Sequence, residues 1–170
     1  ADALFQYSSG STGRPKRVAR THANCWWEAQ DFTQTSRVTD ADTIFCAIPL
    51  FHAHGLGNGL LAAAKSGAKL ILLEHPHPFV LQRQRALELL ERERATVFPG
   101  VPFIFKFLTE APTSSDLSAL RLCFSAGTAL PRATVEAFDQ KFGVPVRQLY
   151  GCTEAGSVTI NLDPDPRPTA

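Results

Sequence analysis

The sequence contains no methionine, not even at its first position, and only 2 tryptophans and 2 tyrosines against 12 phenylalanines in 170 residues. A chain that begins at Ala1 without an initiator, and without the basic, apolar and small-residue order of a secretory leader, reads as a piece of a longer protein. An excess of one charge is also lacking: 17 Lys and Arg against 16 Asp and Glu leave a formal charge of +1. This excludes the strongly basic footprint that binding a phosphate backbone requires, so nucleic acid is not an expected partner. No apolar run approaches the roughly 20 residues needed to span a bilayer. Ala68 to Leu73, among the longest, is broken by Lys69, and no membrane span is expected. The four cysteines, Cys25, Cys46, Cys123 and Cys152, include no C-x-x-C pair to hold zinc or run redox exchange, which points to reduced thiols in a cytoplasmic protein.

What remains is the composition of a globular domain, 44% hydrophobic and 19% charged. Short β-rich runs alternate with longer amphipathic ones. The strand candidates are Ala3 to Tyr7, Thr43 to Ile48, Ala68 to Leu73, Ala95 to Phe98, Leu120 to Ser125 and Val144 to Leu149. Several are apolar throughout, as strands buried on both faces should be. Helices are expected over His22 to Gln34, Leu56 to Lys65, Phe79 to Arg94, Pro102 to Glu110 and Pro131 to Phe142, with Thr21 and Pro131 as helix starts. The alternation predicts an α/β fold, a Rossmann-like and mostly parallel sheet with crossover helices. One domain is expected over residues 1–162, followed by an exposed proline-rich connector at 163–170.

Four segments could carry chemistry. Tyr7-Ser-Ser-Gly-Ser-Thr-Gly-Arg-Pro-Lys16 follows a strand and concentrates hydroxyls, glycines and a lysine in one turn. Glycine lets backbone N–H groups face an anion, Ser9, Ser11 and Thr12 add donors, and Lys16 adds a point charge for terminal phosphate oxygens. The spacing is not that of a Walker A loop or of a nucleophile elbow. A flexible hairpin turn accounts for the composition equally well. Pro49-Leu-Phe-His-Ala-His-Gly-Leu-Gly57 places an aromatic and two imidazoles after a buried strand, where open α/β sheets collect ligands. His52 and His54, like His75 and His77, form H-x-H pairs with no third ligand of matching type, so no histidine metal site is expected. In Leu120 to Pro131 a strand breaks into small residues, leaving room for a flat ring against backbone. Gln148-Leu-Tyr-Gly-Cys-Thr-Glu154 combines an aromatic, a glycine, a hydroxyl and a carboxylate.

Taken in order and at these intervals, Tyr-Ser-Ser-Gly-Ser-Thr-Gly-x-Pro-Lys, Pro-Leu-Phe-His-x-x-Gly, Ser-Ala-Gly-x-x-Leu and Tyr-Gly-x-Thr-Glu resemble the acyl-adenylate-forming superfamily, over nearly the whole chain from Phe5 to Asn161. That family includes acyl-CoA synthetases, 4-coumarate-type ligases, firefly luciferase and peptide-synthetase adenylation domains. The resemblance implies ATP-dependent activation of a carboxylic acid as an acyl-adenylate, followed by thioester formation with coenzyme A. It further implies that Ser8, Ser9, Gly10, Ser11, Thr12, Gly13 and Lys16 hold the phosphates of ATP, with Arg17 replacing the family's usual glycine and pointing into solvent. Gly127, Thr128 and Ala129 then form the adenine wall, Tyr150 stacks on adenine with Gln148 and Gly151 also binding the nucleotide, Thr153 is a donor to the α-phosphate, and Glu154 a ligand for Mg2+. Leu149 stands where many ligases have glycine. His52 falls beside the acyl carboxylate, with Phe51, Gly55 and Cys152 as pocket neighbours. Lys16, His52, Thr153 and Glu154 are thus the expected catalytic set.

In this family the ribose-binding aspartate, the hinge and a domain with a catalytic lysine lie downstream of Tyr-Gly-x-Thr-Glu. The resemblance therefore implies that this piece needs the missing remainder of its own chain to complete adenylation. Two rival readings are an adenylation domain that loads a carrier protein in a peptide or polyketide synthetase, and a non-catalytic nucleotide-binding module.

Overall fold

The computed structural model describes residues 1–8, 13–73, 77–112 and 115–163. Strands β1 (Asp2–Ser8) and β2 (Lys16–Thr21) form an antiparallel hairpin apart from the main sheet. The order is then α1 (His22–Thr35), β3 (Thr43–Cys46), α2 (Ala53–Gly55), a π-helical turn (Leu56–Leu61), α3 (Ala62–Ser66), β4 (Lys69–Leu72), α4 (Phe79–Arg92), β5 (Val97–Gly100) and α5 (Pro102–Thr109). It closes with β6 (Leu122–Ser125), α6 (Arg132–Phe142), β7 (Val146–Cys152) and β8 (Gly156–Ile160).

The six-stranded sheet runs β4-β3-β5-β6-β7-β8, parallel except for the antiparallel edge strand β8. The expected mostly parallel α/β architecture is therefore present. Its strands are apolar on both sides because both faces are covered. Phe45, Phe98, Cys123 and Val146 face α4, α5 and α6, packing with Leu87, Phe105, Leu108 and Phe138. The alternate residues Ile44, Val97, Phe124 and Leu149 pack with Phe32 of α1 and Ala62 and Ala63 of α3. This period of two lets one strand serve two cores. From β3 the chain runs through α3 to β4 on one side and returns through α4 to β5 on the other. β3 is thus the topological switch point, and the carboxyl ends of β3, β5, β6 and β7 open on the crevice where such sheets bind ligands.

The six strand expectations are met within a few residues. Thr21 caps α1 as expected, its hydroxyl accepting from the Asn24 N–H while its own N–H donates to the Asn24 side chain. Three features differ from the sequence reading. β2 was not anticipated because its inward positions are Val18 and Arg20, so an arginine interrupts the apolar half of the alternation. β8 carries Gly156, Ser157 and Thr159 and has no apolar run to announce it. The single helix expected over Leu56 to Lys65 is instead a π-helical turn followed by α3. A β-carbon at Gly57 would strike the Glu28 carboxylate, and one at Gly59 would lie 2.8 Å from Cys46 Sγ. The two glycines let this helix lie against both α1 and β3. Residues 164–170 of the expected connector and His75 lie outside the described residues.

Candidate active site

The β1–β2 hairpin presents both ends of the glycine- and serine-rich loop to one place, since Ser8 pairs with Lys16 across its mouth. Both line a cleft of about 510 Å3. His52, Gly127, Gly151, Cys152, Thr153 and Glu154 line the same cleft, so residues spread over 147 positions of sequence, from Ser8 to Glu154, converge there. The Ser8 hydroxyl donates to Glu154 Oε1 at 3.4 Å. Ser9, Gly10, Ser11 and Thr12 lie outside the described residues. Gly13 is exposed with φ of +77° and is not among the lining residues. Arg17 is exposed too, its guanidinium 4.7 Å from the centre of the Phe5 ring.

A second cleft of about 550 Å3 adjoins the first and shares Gly127, Leu149 and Gly151 with it. Its walls include Thr128, Ala129, Gln148 and Tyr150, the segment expected to hold a base. Tyr150 is 65% exposed, and an exposed aromatic side chain can stack on a base. Gly127 sits at φ +90°, a conformation glycine adopts without strain, where β6 gives way to the small-residue segment.

His52 caps the short α2, its Nδ1 accepting from the His54 N–H at 3.2 Å. With Nδ1 so engaged, a neutral His52 carries its proton on Nε2 as a donor. Of its expected neighbours, Cys152 lines the cleft. Phe51 is 84% exposed, and Gly55 is buried against the carbonyls of Ile48 and Pro49, so neither lies on the cleft wall.

Sequence reasoning missed a polar floor. Buried His54 places Nε2 3.0 Å from the Gly100 carbonyl and Nδ1 2.7 Å from the Asn58 amide, which in turn meets the Ser157 hydroxyl. Burial holds the His54 pKa below the ordinary imidazole value. Both ring nitrogens thus face oxygen acceptors, the Gly100 carbonyl and Asn58 Oδ1, while Asn58 Nδ2 donates to the Ser157 hydroxyl. The spacing of His54 and Asn58, four apart, was the one available signal. Beside them lie Arg20 and Glu28, an ion pair at 2.6 Å with side chains only 2% and 4% exposed. Cys46 and Cys123 are buried and their thiols are pushed up by burial, so neither is a nucleophile. Among the described residues no group of three or more His, Cys, Asp or Glu side chains could hold a metal by itself.

The family model described as AMP-binding enzyme matches residues 2–170. Benzoate–CoA ligase of Thauera aromatica is 35% identical over 155 residues, covering 89% of this chain and 28% of the ligase. The structure of ATP-bound MatB from Rhodopseudomonas palustris is 28% identical, superposing with a TM-score of 0.84 over 96% of this chain and 32% of that one. The anthranilate CoA ligase AuaEII in complex with anthranoyl-AMP is 30% identical, with a TM-score of 0.85 over 96% of this chain and 32% of that one. The chain thus spans about a third or less of the length of these proteins.

Proposed function

The chain belongs to the AMP-binding enzyme family, and from that premise we propose that it is the nucleotide-binding part of an ATP-dependent ligase joining a carboxylic acid to coenzyme A. One observation carries the reading. Two adjoining clefts share Gly127, Leu149 and Gly151, with Lys16 and Glu154 on one and Tyr150 on the other. That is the layout a nucleoside triphosphate needs, a flat platform continuing into a polar end with a cation and a carboxylate. The relatives' names supply the acceptor, since benzoate–CoA ligase is a coenzyme A ligase.

In this reading the base stacks on Tyr150 against Gly127, Thr128 and Ala129, and the phosphates run toward Lys16, Ser8 and Thr153. Glu154, with the hydroxyls of Ser8 and Thr153 on the same cleft, would hold Mg2+ through the oxygen donors that this ion prefers. When bound, Mg2+ neutralises charge on the phosphates. His52 donates from Nε2 to the acyl carboxylate and fixes its direction; it is not a general base, because an ionised carboxylate has no proton to remove. A carboxylate oxygen attacks the α-phosphorus, the bond to the bridging oxygen breaks, and pyrophosphate leaves. The thiol sulfur of coenzyme A then attacks the acyl carbon and AMP departs. Lys16 and the hydroxyls act by position and charge, stabilising the crowded phosphate oxygens of the transition state. Among the described residues no helix is long and apolar enough to cross a membrane, and the free cysteines suit a cytoplasmic setting.

ATP–pyrophosphate exchange by the enzyme that carries these residues, scanned over aryl and short- to long-chain carboxylates, tests the reading. Exchange stimulated by a carboxylate and lost in Lys16→Ala supports it. Exchange with no dependence on any carboxylate contradicts it.

A further inference from the structure

The turn carrying Thr153 and Glu154 is gripped at both ends by one buried ion pair. Arg20 Nη1 donates to the Thr153 carbonyl at 3.3 Å, and Nη2 donates to Glu28 Oε2 at 2.6 Å. The other carboxylate oxygen, Oε1, accepts from the Ser157 N–H at 3.2 Å. A guanidinium and a carboxylate thus hold the entry and the exit of the 153–157 reversal between β7 and β8. We propose that Arg20 and Glu28 are positioning residues, a clamp that fixes Thr153 and Glu154 relative to Lys16. The proposal rests on the nucleotide-binding reading for its functional consequence and on geometry alone for the clamp.

Three features favour positioning over simple stability. Arg20 and Lys16 lie on the same strand four residues apart, on one side of β2, so the element that presents the cation also grips the turn. The site is shaped around the carboxylate. A β-carbon at Gly57 or at Gly156 would overlap Glu28, and Gly156 also adopts φ +73°. Finally, a buried pair is a poor route to stability, because desolvation cancels most of the attraction and apolar residues of similar size often do as well or better. Apolar side chains, however, cannot bond the Thr153 carbonyl and the Ser157 N–H. The pair also keeps the cleft electrically usable. Glu28 borders the space assigned to the phosphates, and Arg20 cancels a charge that would otherwise repel them.

The test separates stability from position. Wild type, Glu28→Gln and the double variant Arg20→Met/Glu28→Met are compared by thermal melting, by amide hydrogen exchange and by titration with Mg·ATP, with Glu154→Gln as control. The double variant should melt at or above the wild-type temperature, yet exchange the 153–157 amides about tenfold faster and bind Mg·ATP about tenfold more weakly. Glu28→Gln preserves size and one acceptor and should show the same local loosening to a smaller degree. Wild-type exchange at 153–157 in both variants overturns the clamp. So does exchange that rises equally through β3, β5 and β6, which marks a purely structural pair. Affinity lost in Glu154→Gln but retained in the double variant overturns the functional consequence while leaving the nucleotide reading intact. A wild type that binds no Mg·ATP sinks the nucleotide reading instead, and the exchange data still decide the clamp.

Discussion

The Ser8 hydroxyl donates to the Glu154 carboxylate at 3.4 Å, joining the end of the first strand to the turn after the seventh. A 3.4 Å bond at an exposed site is weak, so its worth lies in aiming the carboxylate. Ser8→Ala should weaken Mg·ATP binding about threefold, and Glu154→Gln should abolish the difference in ATP affinity between solutions with and without Mg2+. Titrations at fixed ionic strength check both. A Glu154→Gln protein that keeps its full Mg2+ dependence would remove Glu154 from the metal's shell.

The Asp42 side chain ties the start of β3 to the starts of β5 and β6. Burial alone would raise its pKa, but bonds from Arg121, from the Thr96 hydroxyl and from the Thr39 N–H outweigh this and hold it at about 2. A carboxylate with a depressed pKa stabilises the fold above its unfolded value and loses that contribution as pH falls through the folded one. Stability should therefore drop between about pH 4 and pH 2, by about 1 to 2 kcal/mol after allowing for solvent at the half-exposed Arg121. Denaturation midpoints across that range, with Asp42→Asn showing a flatter profile, test this. An identical acid limb in Asp42→Asn would reject it.

His54 should stay neutral to lower pH than an exposed imidazole, because burial disfavours the cation more than its bonds to Asn58 and Gly100 favour it. The unfolded ring takes up its proton at higher pH than the folded one, so stability is full above about pH 6.5 and declines below it. Long-range nitrogen-15 spectra at pH 6 should show one unprotonated ring nitrogen. A ring protonated on both nitrogens at that pH would show that the Asn58 and Gly100 oxygens outweigh burial, and would contradict this.

Gly59 lies where a side chain would press on Cys46, which is 1% exposed. Gly59→Ala should cost about 1 to 3 kcal/mol by overpacking, and adding Cys46→Ala should recover part of it. Equal destabilisation in single and double variants would mean that the π-helical turn, not the contact, is what the alanine disturbs.

Much of the fold was legible in the sequence because buried parallel strands announce themselves by apolar runs such as Ile44 to Ile48 and Leu122 to Phe124, and the helices between them by amphipathic spacing. The hairpin was half legible. β2 stayed hidden because Arg20 occupies an inward position, where it bonds the Thr153 carbonyl and Glu28. Ser8, Lys16, His52, Thr153 and Glu154 were legible through motif order, and the fold brings them to one cleft. Asn58 offered only its spacing of four from His54, and Glu28 and Ser157 were not legible, because the bond that joins them spans 129 positions. No local pattern encodes a contact across that separation.

If the two clefts form a single nucleotide site, Lys16 and Tyr150 act on one binding event. Calorimetric titration of this chain with Mg·ATP, comparing wild type with Lys16→Ala and Tyr150→Ala, tests it most directly. Both changes should weaken the same binding event, each by about tenfold, one through lost charge and one through lost stacking. Binding that is indifferent to Tyr150→Ala while falling in Lys16→Ala would show an anion held at the hairpin alone, and would contradict a shared site.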